Sequence, residues 1–428
     1  MILASVSTRA SDQMGAGHYY WTYQSLHAHQ GRKGSSAGKT IGPKSLNAAH
    51  IDACMKPNLQ KYEFNVSPWA FRNYAPSSLR RAIEKAAAKG VTHVQFYDGG
   101  LMELLVCALV AHRLPSVNFL YNFHWAEQWI DALSPRKFRL LPFRFLLSRV
   151  MNSAPKNLAF SAETKTFSVY LNTRLGVQTR PYPIFSDFGF SAQKKWADRQ
   201  TDVLLLPQRP TEIQVTLELK AILESQGLSL IVAVKPEVWE ASGNKGNQSG
   251  VVFLPLAEGD FLQLIGEACV IVLPYDKPYF RWGSSGKFNE ALCLGAFPFV
   301  PNWTAIASQS SEDPSLHHLD FSNLDTAASL IVARLKAGFP AGLRGISTDD
   351  FLSWVDRVSG SGQNTATTKG HRVWLFALIG LSMVYRRVRL FPRLRKYFGG
   401  ILDAQIATLS MVATSRKATR ENSRLGKR

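Results

Sequence analysis

Along the first 340 or so residues, short apolar runs alternate with longer segments in which apolar residues recur every three or four positions. Met1–Ser7 predicts a strand, a stretch from about Tyr19 to His29 a helix, and the Gly/Ser/Lys-rich segment 30–50 a loop. SLRRAIEKAAAKG predicts a helix ending at Gly90, VTHVQFY a strand and LMELLVCALVAHR a helix. SVNFLYNF and NLAFSA predict strands, and TKTFSVYLNTRLG a helix. PYPIFSDFGFSAQKK, from Pro181, has no period and reads as a linker. The alternation then restarts with DVLLLPQ, TEIQVTLELKAILESQG, LSLIVAV, VVFLPL, DFLQLIGEA and CVIVLPY. Strands and helices at this spacing predict βαβ units and parallel sheets. The expected class is therefore α/β, with two Rossmann-like domains at 1–190 and 200–345 facing a cleft. Residues 346–428 are expected to form a helical C-terminal extension. In open parallel sheets ligands gather at the carboxyl ends of the strands, so the cleft is the expected site.

Composition sharpens this picture in one respect. Of 428 residues 46% are apolar, which excludes a disordered chain. The net charge is +19, and residues 365–428 alone carry 14 basic and 2 acidic residues. The charge is thus mainly C-terminal and implies an anionic partner. There VWLFALIGLSMVY precedes RRVRLFPRLRK, an apolar stretch too short to span a bilayer but suited to lying on an anionic membrane surface. The other reading is a buried helix with a solvated basic tail. PRKFRLLPFRFLLSRVM, residues 135–151, has a similar basic rim around apolar residues and divides between the same two readings. Nucleic acid is disfavoured because no binding motif accompanies the charge. Cys54, Cys107, Cys269 and Cys293 show no CxxC or zinc spacing, and the last three lie in apolar runs. They read as buried free thiols in a reducing compartment. With no signal-peptide pattern at the start, the expected location is cytoplasmic, peripheral on the inner face of the membrane.

The chemistry concentrates in RWGSSGKFNEALCLGAFPFV, residues 281–300. Ser284, Ser285 and Gly286 precede a short helix pattern that carries Glu290 and stops at Gly295. A helix N-terminus presents N–H groups without intrahelical partners and a partial positive charge. Small residues there admit a pyrophosphate to the backbone, and Ser hydroxyls add donors. Lys287 adds a point charge. Glu290, one turn further in, lies where a carboxylate can accept both ribose hydroxyls of the same nucleotide. The alternative is an ordinary αβ turn with a solvated glutamate.

YDKPYFRWGSSGKFNEALCLGAFPFVPNW resembles the donor-binding signature of GT-B glycosyltransferases, most nearly the retaining family 4 group. The pattern matches at Pro274, Tyr275, Tyr279, Ser285, Gly286, Glu290, Ala291, Leu292, Gly295, Pro298 and Val300. The resemblance implies a GT-B fold and a nucleotide-diphosphate sugar as donor substrate, with no separate cofactor and no metal. Gly15 and Gly17, in MGAGHYY, would face the donor phosphates and the acceptor. His124, in YNFHW, would sit at the cleft as an active-site histidine. Arg209, in LLLPQR, would bind the diphosphate. For each a plainer reading stands beside this one: turn glycines, a satisfied core histidine and a surface arginine. The family often carries two glutamates eight apart; Glu290 is the second, and Trp282 stands where the first would fall. The lysine commonly found just beyond the arginine is absent too, with Glu212 and Gln214 in its neighbourhood and Lys235 or Lys287 as other sources of a cation.

The leading expectation is a glycosyltransferase moving a sugar from a nucleotide sugar to a hydroxyl of a glycan or lipid-linked acceptor, with retention of configuration. The rival expectations are a non-catalytic scaffold that binds a nucleotide or glycan, and a GT-B-like epimerase or phosphorylase. Asp98-Gly99-Gly100 reads as a helix-capping turn, and Asp349-Asp350 as a helix start and not a metal site.

Overall fold

The computed structural model describes residues 1–6, 39–43, 53–55, 76–97, 100–124, 126, 129–130, 143–185, 194–246, 248–254, 258–310 and 313–359. The first sheet contains β1 Leu3–Val6, β2 Lys39–Pro43, β3 Ala53–Met55, β4 His93–Phe96, β5 Asn118–Phe123, β6 Leu158–Ala162 and β7 Arg180–Pro181. Their order is β3-β2-β1-β4-β5-β6-β7, and every pairing is parallel. Its helices are α1 Pro76–Ala88, α2 Leu101–Arg113, α3 Phe143–Asn152 and α4 Lys165–Leu175. Strands β4 and β6 are buried along their whole length; β6 is apolar but for Ser161, and β4 buries His93 and Gln95 with its apolar residues. α4 starts where the Thr164 hydroxyl accepts the Phe167 N–H at 3.2 Å. It stops at Gly176, whose φ of 67° suits a residue without a Cβ.

The second sheet contains β8 Thr201–Leu205, β9 Leu230–Val234, β10 Val251–Phe253, β11 Ala268–Val272, β12 Phe297–Pro301 and β13 His318–Leu319. Its order is β10-β9-β8-β11-β12-β13, again all parallel. Around it lie α5 Pro210–Glu224, α6 Pro236–Ala241, α7 Glu258–Glu267, α8 Gly286–Cys293 and α9 Leu324–Ala337. Each sheet builds its own core, one centred on residues such as Phe96, Phe119 and Leu158, the other on Val203, Val270 and Phe299. The protein is therefore α/β, with two Rossmann-like, parallel-sheet domains, as the sequence pattern and the GT-B resemblance lead one to expect.

The chain crosses between domains twice. It leaves the first domain through Tyr182–Phe185 and returns at Ile346, where Phe185 and Ile346 form an isolated parallel bridge. The returning helix, α10 Thr348–Ser359, packs on the first domain. Its Phe351 and Val355 share a buried cluster with Leu3, Tyr97, Leu120 and Phe185. The Phe185 and Phe351 rings stack with centroids 4.0 Å apart. Asp349 and Asp350 occupy the first turn of α10, the helix start expected of them.

One prediction needs correction. Segment 30–50, expected to be a loop, contains β2. KTIGP is a short strand ending in Gly-Pro, so composition masks a segment held by pairing with β1 and β3. The expected helix at Tyr19–His29, Gly15 and Gly17, and the apolar and basic segments after residue 359 all lie outside the described residues. Among the described residues no helix is long and apolar enough to cross a membrane.

Candidate functional site at the strand ends

The second domain supplies most of the expected residues from three loops at the carboxyl ends of β8, β9 and β11. Ser285 is the N-cap of α8, and its hydroxyl accepts the Phe288 N–H at 3.4 Å. The same hydroxyl lies 3.0 Å from the Tyr275 phenol, which also accepts the Gln208 amide at 3.0 Å. Tyr275 thereby ties the loop after β11 to the loop after β8. The Ser285 N–H donates to Gln309 at 2.9 Å, so that donor of the helix start is already engaged by the protein. Ser284, Ser285 and Glu290 are buried, and Gly286 and Lys287 half-buried. α8 ends at Gly295, φ 72°, as the sequence pattern requires.

Charge gathers around this helix start. Burial pulls the Lys287 ammonium below its ordinary range, Glu290 opposes that fall, and Lys235 adds to it by repulsion. Lys235, at the carboxyl end of β9, and Lys287 thus lie within electrostatic reach of one another. Arg209 caps the start of α5 and lies half-exposed, 3.4 Å from Asp276. Thr211 donates a short hydrogen bond to the same carboxylate. Glu212 is buried and accepts backbone N–H groups of Gln208 at 2.6 Å and of Asp276 at 3.0 Å. Burial still outweighs those bonds and pushes its carboxyl up to about 7.

The first domain contributes from the ends of β5 and β6. His124 follows β5 and is buried, with its ring 4.9 Å from that of Tyr97 and its carbonyl accepting the Trp129 indole at 2.9 Å. Its Nδ1 contacts the carboxylate of Glu163, which follows β6 and has no exposed surface. Tyr279, reaching across from the second domain, donates its phenol to that carboxylate at 3.0 and 2.9 Å from the two oxygens. The next residue, Thr164, donates to the Trp282 carbonyl at 2.6 Å. The Trp282 ring packs on the first domain, 5.2 Å from Tyr170. A cavity of about 310 Å³ opens between the domains beside this meeting point, lined by Glu163, Lys165, Tyr182, Gln309, Arg344 and Asp350 among others.

The structure thus places His124 on one side of the domain junction, and Ser284, Ser285, Gly286, Lys287, Glu290 and Arg209 on the other. Gly15 and Gly17 lie outside the described residues. Of Asp98-Gly99-Gly100 only Gly100 is described, and its N–H donates to Glu103 at 2.8 Å at the start of α2. Sequence reasoning missed Glu163 and passed over Tyr279 as a mere motif match. The available signal was positional: Glu163 follows a fully buried strand, and His124 follows one buried from Phe119 on. Among the described residues no group of three or more His, Cys, Asp or Glu side chains could hold a metal ion.

No protein-family model and no curated protein matches this chain. Solved structures do. A glycosyltransferase from Rickettsia africae is similar over 89% of this chain and 97% of its own, at 11% identity and a TM-score of 0.49. The Anabaena HepE protein in complex with UDP and glucose is similar over 90% and 99%, at 11% identity and a TM-score of 0.45. A UDP-N-acetylglucosamine 2-epimerase from Rickettsia bellii is similar over 84% and 98%, at 12% identity and a TM-score of 0.38.

Proposed function

We propose that this protein is a GT-B glycosyltransferase. It transfers a sugar from a nucleotide-diphosphate donor to a hydroxyl of a glycan or lipid-linked acceptor, with retention of configuration. The supporting observation is the grouping of Ser285, Lys287, Lys235 and Glu290 at the ends of the second sheet, next to a junction that carries His124. In the reaction the bond from the anomeric carbon to the diphosphate breaks and one to the acceptor oxygen forms. The acceptor proton leaves with the diphosphate or to solvent. Lys287, Lys235 and Arg209 would offset the charge that develops on the leaving diphosphate, and the start of α8 would add its dipole. Glu290 would hold the ribose. His124 would contact the donor sugar or its diphosphate. Closure of the domains would exclude water and so favour transfer over hydrolysis. The basic C-terminal segment supports a location at an anionic membrane face, where a lipid-linked acceptor would be found.

The test is thermal stabilisation by a panel of nucleoside diphosphates and nucleotide sugars. A ligand at a hundred times its Kd adds roughly 2.7 kcal/mol. One nucleotide should stand out, and Glu290→Ala should abolish its effect. A folded protein that responds to none of them overturns the reading and favours a phosphorylase or a scaffold. Glu290→Ala with full stabilisation overturns the site assignment alone.

A further inference from the structure

The best-buried charged cluster in the described residues lies off the donor helix. Glu163 has no exposed surface and His124 almost none. An ionised carboxylate so placed costs several kcal/mol unless its lone pairs are met. Its partners come from two different domains. His124 arrives from the end of β5, in the same sheet, and Tyr279 from the turn after β11 in the other domain. The phenol has little freedom. Its ring meets Phe280 edge-on at 5.1 Å and Lys277 at 5.2 Å, and it covers Gly283, where a Cβ would come within 2.6 Å of three ring carbons.

We infer that Glu163 is a positioning residue for His124, and that Tyr279 makes this positioning depend on closure of the two domains. The inference rests on the proposed transfer reaction for its functional meaning, but its geometry is independent of it. A carboxylate against Nδ1 keeps a proton on that nitrogen and fixes the plane of the ring. Nε2 is thereby left as the nitrogen without the proton. The phenol takes up part of the negative charge of Glu163 only when the second domain is docked. In an open molecule the carboxylate would lose that donor and turn its full charge on the imidazole. The ring would keep its tautomer, but the charge facing it would be tempered only with both domains in place, so that a bound donor sugar meets the tempered imidazole after water has been excluded.

The experiment combines spectroscopy with kinetics. Imidazole nitrogens are labelled with ¹⁵N in the full chain, and His124 is assigned by the signals lost in His124→Asn. The wild type should show one state with a proton on Nδ1. Glu163→Leu should release that state into averaged tautomers. Tyr279→Phe should keep the proton on Nδ1 but move its resonance downfield, as the carboxylate bears more charge. Should Glu163→Leu fail to fold, the wild-type and Tyr279→Phe spectra still decide. Averaged tautomers in the wild type overturn the positioning role, and an unmoved resonance in Tyr279→Phe overturns the dependence on closure. In transfer assays Tyr279→Phe should lower kcat by up to roughly 100-fold, the size of a misplaced reacting group, with the Kd for the nucleotide sugar unchanged. A weakened Kd with unchanged kcat would make Tyr279 a donor-binding residue and sink the proposal. A wild type that binds no nucleotide sugar would remove the transferase reading, while the spectra would still settle the role of Glu163.

Discussion

Replacing Glu212 with glutamine should remove one component of the pH dependence of stability. The folded carboxyl is pushed by burial from 4.5 up to about 7, and Gln208 and Asp276 N–H bonds recover only part of that shift. In the unfolded chain the proton leaves near 4.5; in the folded protein it leaves near 7. Between these values the folded state binds more protons, so this group makes stability fall as pH rises, with the loss complete above about 7. A gap of roughly 2.5 pH units at about 1.4 kcal/mol per unit is worth roughly 3 kcal/mol. His317 acts in the opposite sense over the same range. Burial, with repulsion from Arg334 and His318, brings it down to about 4 in spite of its 2.8 Å bond to the Pro298 carbonyl. The unfolded chain therefore takes up that proton first on acidification, and stability from His317 is lost as pH falls from 6.5 towards 4. The two slopes oppose each other, and His93 and His318, also held below their ordinary range by burial, slope with His317, so the wild-type profile does not isolate Glu212. The assay is urea unfolding of wild type and Glu212→Gln at fixed ionic strength from pH 5 to 8. Glutamine leaves one N–H facing an amide, a constant penalty of about 1 kcal/mol that drops out of the comparison. Above pH 5 the Asp276 carboxyl, held below its ordinary range, stays ionised and adds no slope. The variant should gain on the wild type by roughly 2–3 kcal/mol between pH 5 and 8. A difference that stays flat with pH would refute the argument.

Two further perturbations test other parts of the molecule. Gly283→Ala places a Cβ 2.3 Å from the Tyr279 ring, so the ring must leave and take its phenol from Glu163. The expected cost is about 1–3 kcal/mol by chemical denaturation, and Gly283→Ala combined with Tyr279→Ala should cost clearly less than the sum of the two; strict additivity would show that ring and glycine are not in contention. Deletion of residues 365–428 should abolish cosedimentation with vesicles of mixed phosphatidylcholine and phosphatidylserine, and salt should weaken the binding of the full chain. A full chain that stays in the supernatant at low salt would dismiss the membrane assignment.

The readable parts of the sequence were those in which local pattern and final environment agree. LMELLVCALVAHR is apolar almost all round because α2 is enclosed, and it was bounded to the residue. Strands β4, β5, β6, β8 and β11 are buried runs and declared themselves. By contrast, β2 and β3 are short; β2 depends on β1, more than thirty residues earlier, and β3 is an edge strand held only by β2. α6, six residues of PEVWEA, is too brief to show a period. The start of α8, with Ser285 as its cap and Glu290 inside, was legible because a helix N-terminus has a local grammar. Glu163 was not, since SAETKTF looks like an ordinary helix start. Its importance comes from His124, 39 positions earlier, and Tyr279, 116 positions later, and no local pattern encodes that meeting. Trp282 drew notice only as a residue out of place. The structure shows its carbonyl accepting from Thr164 and its ring packed against the first domain.

The return of α10 to the first domain bears on how the chain is made. Phe185 and its stacking partner Phe351 are separated by 166 positions, the whole second domain. At about 5–20 residues per second, a ribosome needs roughly ten to thirty seconds to travel between them. During that interval Leu3, Tyr97 and Leu120 have been synthesised without the side chains that cover them. A nascent first domain is therefore left with an apolar flank until the second domain has emerged, and a chaperone that grips such flanks would hold it longest there. A ribosome stalled between residues 186 and 347 would carry a first domain whose strands have all been translated but whose last covering helix has not.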